Sequence, residues 1–162
     1  SCGITSAGPG YKVNPLASMM ATPSETISNK IALSEGPEHE VKMLNSGADG
    51  IMVFEPAVIK ISKGDTVNFR AVDMSHNSAS LEGMIPDGAE SWNGALSQDI
   101  SITFTEEGVY VYQCTPHAMM AMVGVIQVGE AVNLDSVKSQ ASQTKSVFIS
   151  NTDRLDDYLS RL

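Results

Sequence analysis

An all-β domain, either a sandwich or a Greek-key barrel, is the fold class that this sequence predicts, preceded by an irregular extension and followed by two helices. Three observations predict it. Between about residues 38 and 128 the chain breaks into short β-rich runs punctuated by Gly, Pro and Asp. Before residue 35 it is rich in Ser, Ala, Gly, Thr and Pro and shows no sustained hydrophobic period. After residue 130 the apolar residues return at helical spacing. The expected organisation is an N-terminal linker or extension over 1–34, a β-domain over 35–130, and a helical extension over 131–162 that packs on the sandwich.

The elements follow in order. Glu38 to Asn45 places Val41 and Met43 on one face, and Ala57 to Ile61 alternates toward Ile59 and Ile61. Lys63-Gly64-Asp65 is a turn signal, and Thr66 to Arg70 leaves it as a strand. Ser80 to Gln98 is looser, with Pro86-Asp87-Gly88 as a turn and room for a short helix. Ile100 to Phe104 alternates cleanly, Glu107-Gly108 turns into Val109 to Tyr112, and Val123 to Val128 is a buried strand ending at Gly129. Leu134 and Val137 open a helix. Leu155, Tyr158, Leu159 and Leu162 stand at i, i+3, i+4 and i+7 of a second, with Asn151-Thr152-Asp153 as its N-cap region.

Composition narrows the function. The chain has 162 residues, 10 basic and 19 acidic, for a net charge of −9. Residues 35–130 carry a net −10, so the acidity belongs to the central segment. A nucleic-acid surface needs a basic footprint and is excluded. No apolar run approaches the ~18 residues of a membrane-spanning helix. Two cysteines and three histidines exclude a small disulfide scaffold and a four-cysteine zinc site. Cys2, followed by Gly3 and a polar tether, looks like the start of a mature bacterial lipoprotein. A lipid on Cys2 is one expectation, and an ordinary thiol or half-disulfide is the other.

The stretch that carries chemistry runs from Tyr112 to Met122. It leaves one expected strand, forms a loop, enters another, and contains Cys-x2-His-x4-Met as Cys114, His117 and Met122. Upstream, His76 lies in a turn-like segment just after a strand. One thiolate, two imidazoles and a thioether form a soft donor set. A trigonal His₂Cys plane with a weak axial Met is the blue-copper arrangement. Met120 would give the shorter spacing Cys-x2-His-x2-Met. Met122 is favoured because the longer loop lets the thioether return above the plane. His39, among charged neighbours, reads as solvent-exposed and without a metal role.

The run from Glu40 to Glu130 resembles the cupredoxins, and most closely the pseudoazurins. The likeness rests on Val41-Lys42-Met43-Leu44-Asn45, Gly50 through Val53-Phe54-Glu55-Pro56-Ala57 and Gly64-Asp65-Thr66-Val67. It continues through His76-Asn77, Gly83 to Glu90, Cys114-Thr115-Pro116-His117, Met122-Val123-Gly124 and Gln127-Val128-Gly129. The resemblance implies a cupredoxin-like Greek-key β-sandwich holding one type 1 copper, cycling between Cu(I) and Cu(II), on His76, Cys114, His117 and Met122. It implies a small monomeric electron carrier of the bacterial periplasm, not an enzyme, that serves redox partners such as copper nitrite reductase or a cytochrome. It also implies that Asn77 gives a backbone or side-chain hydrogen bond to the thiolate.

One departure stands out. Pseudoazurins ring the copper edge with lysines, whereas this chain has Met74, Asn93, Ala95 and Gln113 at those positions. Met52, Pro116, Ala118 and Met120 are expected to form an apolar patch around the exposed edge of His117. The alternative function is a periplasmic copper chaperone or copper-handling protein, suggested by Met119, Met120 and Met122. Such a protein should offer an exposed, exchangeable site, and a thiolate at a strand end argues against it. A multicopper oxidase fragment would need further histidine clusters.

Overall fold

The computed structural model describes residues 29–162. Cys2, with its expected lipid, and most of the expected linker lie outside the described residues. Eight strands and two helices are described: β1 (Glu38–Gly47), β2 (Gly50–Glu55), β3 (Val58–Ile61), β4 (Thr66–Arg70), β5 (Ala79–Ser80), β6 (Ile100–Thr103), β7 (Gly108–Gln113), β8 (Val123–Val128), α1 (Leu134–Thr144) and α2 (Arg154–Ser160). One sheet has the order β2-β1-β4-β6 and the other β3-β8-β7-β5. β1 pairs with β4, and β3 with β8, in parallel. The pairs β1–β2, β4–β6, β5–β7 and β7–β8 are antiparallel. No helix among the described residues is long and apolar enough to cross a membrane.

Alternation along the strands builds the core. Val41 and Met43 of β1, Val67 and Phe69 of β4, and Ile59 and Ile61 of β3 meet Tyr110, Tyr112, Ile126 and Val128 in one cluster drawn from both sheets. A second cluster joins β7 and β8 to the helices. Val109, Val111, Val123 and Val125 pack there with Val137, Ala141, Leu155, Tyr158 and Leu159. β7 and β8 are therefore covered on both faces, which accounts for their near-continuous apolar sequences. Both helices begin where the sequence placed them. Asp153 occupies the N-cap of α2, although its side chain makes no capping hydrogen bond.

Two expectations change, one strand has no sequence signature, and the end of the linker is bonded. Residues 81–99 hold turns and no helix. Their polar groups serve the sheet instead: Ser80 N–H donates to the Trp92 carbonyl at 2.9 Å, and Gly94 N–H to the Ser78 carbonyl at 2.8 Å. β2 had no period-two signature, because Val53 and Phe54 are adjacent and both buried and Met52 has φ of 52°. His39 is not in solvent. Its side chain is only 6% exposed, with Nε2 2.8 Å from Asp65 Oδ2 and Nδ1 3.2 Å from Ser34 Oγ. Parallel pairing of β1 with β4 sets His39 opposite Val67, beside Asp65 just before β4. The end of the compositional linker is also bonded. Ile31 N–H donates to the Arg161 carbonyl at 2.9 Å, and Ser34 N–H to the Lys60 carbonyl at 2.8 Å.

Candidate metal centre

The site lies at one end of the sandwich, where β7 ends and β8 begins. Cys114 is the residue after β7. A 3₁₀ turn, Thr115–Met120, with Pro116 near its start, carries His117. The turn closes at Ala121, in left-handed conformation with φ of 58°, and Met122 leads into β8. Cys114 N–H donates to the Met122 carbonyl at 2.9 Å, and Met122 N–H to the His117 carbonyl at 3.3 Å. The backbone of the loop thus fixes all three residues against one another.

His76 arrives from a separate segment, between β4 and β5. Its carbonyl accepts the Ser97 N–H at 2.8 Å. Its Nδ1 lies 3.2 Å from His117 Nδ1 and 3.6 Å from Cys114 Sγ, while His117 Nδ1 is 3.3 Å from Sγ. These three donors form the metal-competent cluster of the described His, Cys, Asp and Glu residues. An ion at the centre of a triangle with those edges would lie about 2 Å from each corner, a normal metal–nitrogen distance and a little inside the ~2.3 Å usual for a thiolate. The residues present therefore fit a small soft cation.

Burial differs among the candidates. His76, Cys114 and Met122 are each 0% exposed, while His117 is half-buried. Met119 is 56% exposed, and its carbonyl accepts the Ile149 N–H at 2.7 Å. Met122 shares the inter-sheet core cluster with Cys114, and neither Met119 nor Met120 does. His39 lies outside the metal-competent cluster.

The surroundings hold the donors in place. Asn45 at the end of β1 accepts from His76 Nε2 at 2.7 Å, leaving Nδ1 to face the cluster. Burial holds the His76 imidazole below its usual pKa; His117 pushes the same way, and Asp73 opposes. Burial pushes the Cys114 thiol up, and the backbone N–H groups of Asn77 and His117 pull it partly back. A metal must therefore displace the thiol proton, as thiolate ligation requires. The Asn77 side chain does other work: it donates to the Gly94 carbonyl at 3.0 Å and accepts the Thr115 N–H at 2.7 Å. It links the His76 segment to the ligand loop. Asn45 lies 31 residues from His76 in sequence, and no local pattern links it to that imidazole. Only the fold brings the end of β1 there.

Residues 41–129 match the family of copper binding proteins described as plastocyanin/azurin. A pseudoazurin of Paracoccus pantotrophus is 44% identical over 109 residues, which cover 67% of this chain and 75% of that one. A pseudoazurin of Methylorubrum extorquens is 44% identical over 103 residues, covering 63% and 70%. Among solved structures, the pseudoazurin from Methylobacterium extorquens superposes with a TM-score of 0.68 at 38% identity, covering 76% of this chain and 98% of that one. The native pseudoazurin from Hyphomicrobium denitrificans gives 0.67 at 36% identity, covering 77% and 98%.

Proposed function

Because the chain belongs to the plastocyanin/azurin family of copper-binding proteins, we propose that its copper ion is held by His76, Cys114, His117 and Met122, with electrons entering and leaving at the His117 edge. The chain is a type 1 copper electron-transfer protein and not an enzyme. The observation that carries the ligand reading is the triangle of Sγ and two Nδ1 atoms inside a buried loop–strand corner.

Copper supplies one-electron cycling between Cu(I) and Cu(II). The residues of the chain supply the rest. Cys114 and His117 are fixed by the backbone hydrogen bonds of their loop, and His76 by Asn45. Donors held this firmly change little between the two oxidation states, which keeps reorganisation small. His117 alone reaches the surface, so it is the contact through which a partner couples. A copper-handling role finds no support, since three of the four donors are fully buried.

The partner surface belongs to the same proposal. Of the patch expected around His117, Pro116 is exposed and Met52, Ala118 and Met120 are half-buried; Met74 at 73% exposed, Leu96 at 54% and Met119 at 56% add more apolar surface on segments that carry or bond the ligand residues. Such an apolar edge suits small, transient redox contacts. We place the chain in the bacterial periplasm, with copper nitrite reductase or a cytochrome as partner, on the resemblance to pseudoazurins.

Titration with Cu(II) tests the site. One equivalent should produce an intense visible thiolate-to-copper band, and Cys114→Ser should remove it. Met122→Gln should keep a coloured centre but lower its potential, since an oxygen donor favours Cu(II). If Met120→Gln shifts the spectrum and Met122→Gln does not, the fourth ligand is misassigned.

A further inference from the structure

Arg154 is the first residue of α2 and is only 8% exposed. A cation there sits at the unfavourable end of a helix, and a buried guanidinium needs partners. Its partners are four backbone carbonyls. Nη1 donates to Met52 O at 2.9 Å and to Ala121 O at 3.2 Å. Nη2 donates to Ile51 O at 3.1 Å and to Asp49 O at 3.2 Å. A side chain at Gly50 would crowd this grip, since a Cβ there would lie 3.2 Å from Nη2.

The two acceptors of Nη1 share an uncommon backbone. Met52 and Ala121 have φ of 52° and 58°, left-handed values that residues with a Cβ adopt only when held. Ala121 closes the turn that carries His117 and immediately precedes Met122. Met52 packs against the core cluster that contains Cys114 and Met122. One guanidinium nitrogen therefore ties β2 to the ligand loop, while the other grips Asp49 in the β1–β2 turn and Ile51 at the start of β2. Only a planar fork serves both at once, because a lysine offers a single nitrogen.

We propose that Arg154 is a positioning residue for the copper centre: by holding the Met52 and Ala121 carbonyls together it fixes where Met122 stands relative to His76, Cys114 and His117. This rests on the reading of Met122 as the fourth ligand. A residue in the C-terminal extension thereby tunes an electron-transfer site that it does not touch.

The test uses the full copper-loaded chain with Arg154→Met, Arg154→Lys, Lys145→Ala and Met122→Gln. Visible charge-transfer bands, midpoint potential and the melting temperature of the copper-free form are measured for each. Both Arg154 variants should change the band pattern and shift the potential in one direction, the lysine variant less than the methionine variant. Lys145→Ala removes the Lys145–Asp156 ion pair, 2.7 Å long, that also holds α2. It should change melting alone. If the Arg154 variants lower melting but keep native bands and potential, Arg154 is only a structural tie and the proposal fails. If Arg154→Met does not fold, Arg154→Lys decides by the same readings. If Met122→Gln leaves bands and potential unchanged, the ligand reading fails and takes this proposal with it.

Discussion

Asp65 shows how much a single carboxylate can be made to do. Burial pushes its pKa up, but hydrogen bonds from His39 and from the Ser62 N–H, with the His39 charge, bring the net below the usual carboxylate value. A carboxylate whose pKa is lowered by folding adds stability above its unfolded value of about 4. That stability drains away as pH falls through the lower folded value. Asp65→Asn should therefore melt at lower temperature than the parent at pH 7, with the gap narrowing below about pH 4. Thermal melts at a series of pH values check this, and a gap that widens in acid contradicts it. Asn45 makes a parallel case at the metal centre. Its Oδ1 is the acceptor for His76 Nε2, and losing such an orienting partner typically costs 10–100-fold in metal affinity. Asn45→Ala should weaken copper binding by about tenfold or more, measured by competition with a chelator of known affinity.

At the scale of elements, the pairing of β7 with β8 is what the ligand loop depends on. Tyr112 stands opposite Gly124 in register, and a Cβ at Gly124 would fall on the Tyr112 ring. That ring packs edge-on to Phe54 at 4.7 Å and to Phe69 at 5.0 Å, so it has little room to move. Gly124→Ala should destabilise the chain by about 1–3 kcal/mol, the usual cost of overpacking. Because Tyr112 is two residues before Cys114, the visible band should shift as well. Denaturant unfolding and the absorption spectrum together check it, and a variant of native stability would show that the sheet has more slack than these contacts suggest. The two helices cover the outer face of β7 and β8 with Val137, Leu155 and Tyr158.

Across the whole molecule, charge separates this chain from the lysine-ringed surface that its resemblance implies. Met74, Asn93 and Ala95 are exposed and Gln113 is half-buried, and none of them carries charge. The central segment holds a net −10. With a screening length of about 8 Å at physiological salt, charges near the docking edge dominate the encounter. Electron transfer to a partner with an acidic docking face should be slow at low salt and should quicken as salt is added. Stopped-flow rates against ionic strength measure it. A rate that falls steadily with salt means attraction, and the reading of this surface would have to be abandoned.

The sequence by itself determined the β-rich core, the two helices and the types of donor in the loop proposed to hold the metal. These are local properties. A period of two along β1 or β4 reports which face is buried, and Cys-x2-His-x4-Met is a spacing within one loop. What the tertiary structure decided are the meetings between distant segments: His76 with a thiol 38 residues later, and Arg154 with carbonyls more than 100 residues earlier. The tuck of His39 against Asp65, and the turns that fill the stretch before Gln98 where a short helix had room, belong to the same class. No local pattern encodes them, because they follow from sheet order and from the need of each buried polar group for a partner. A buried arginine in the first turn of a helix has a purpose only once the loop it holds is beside it.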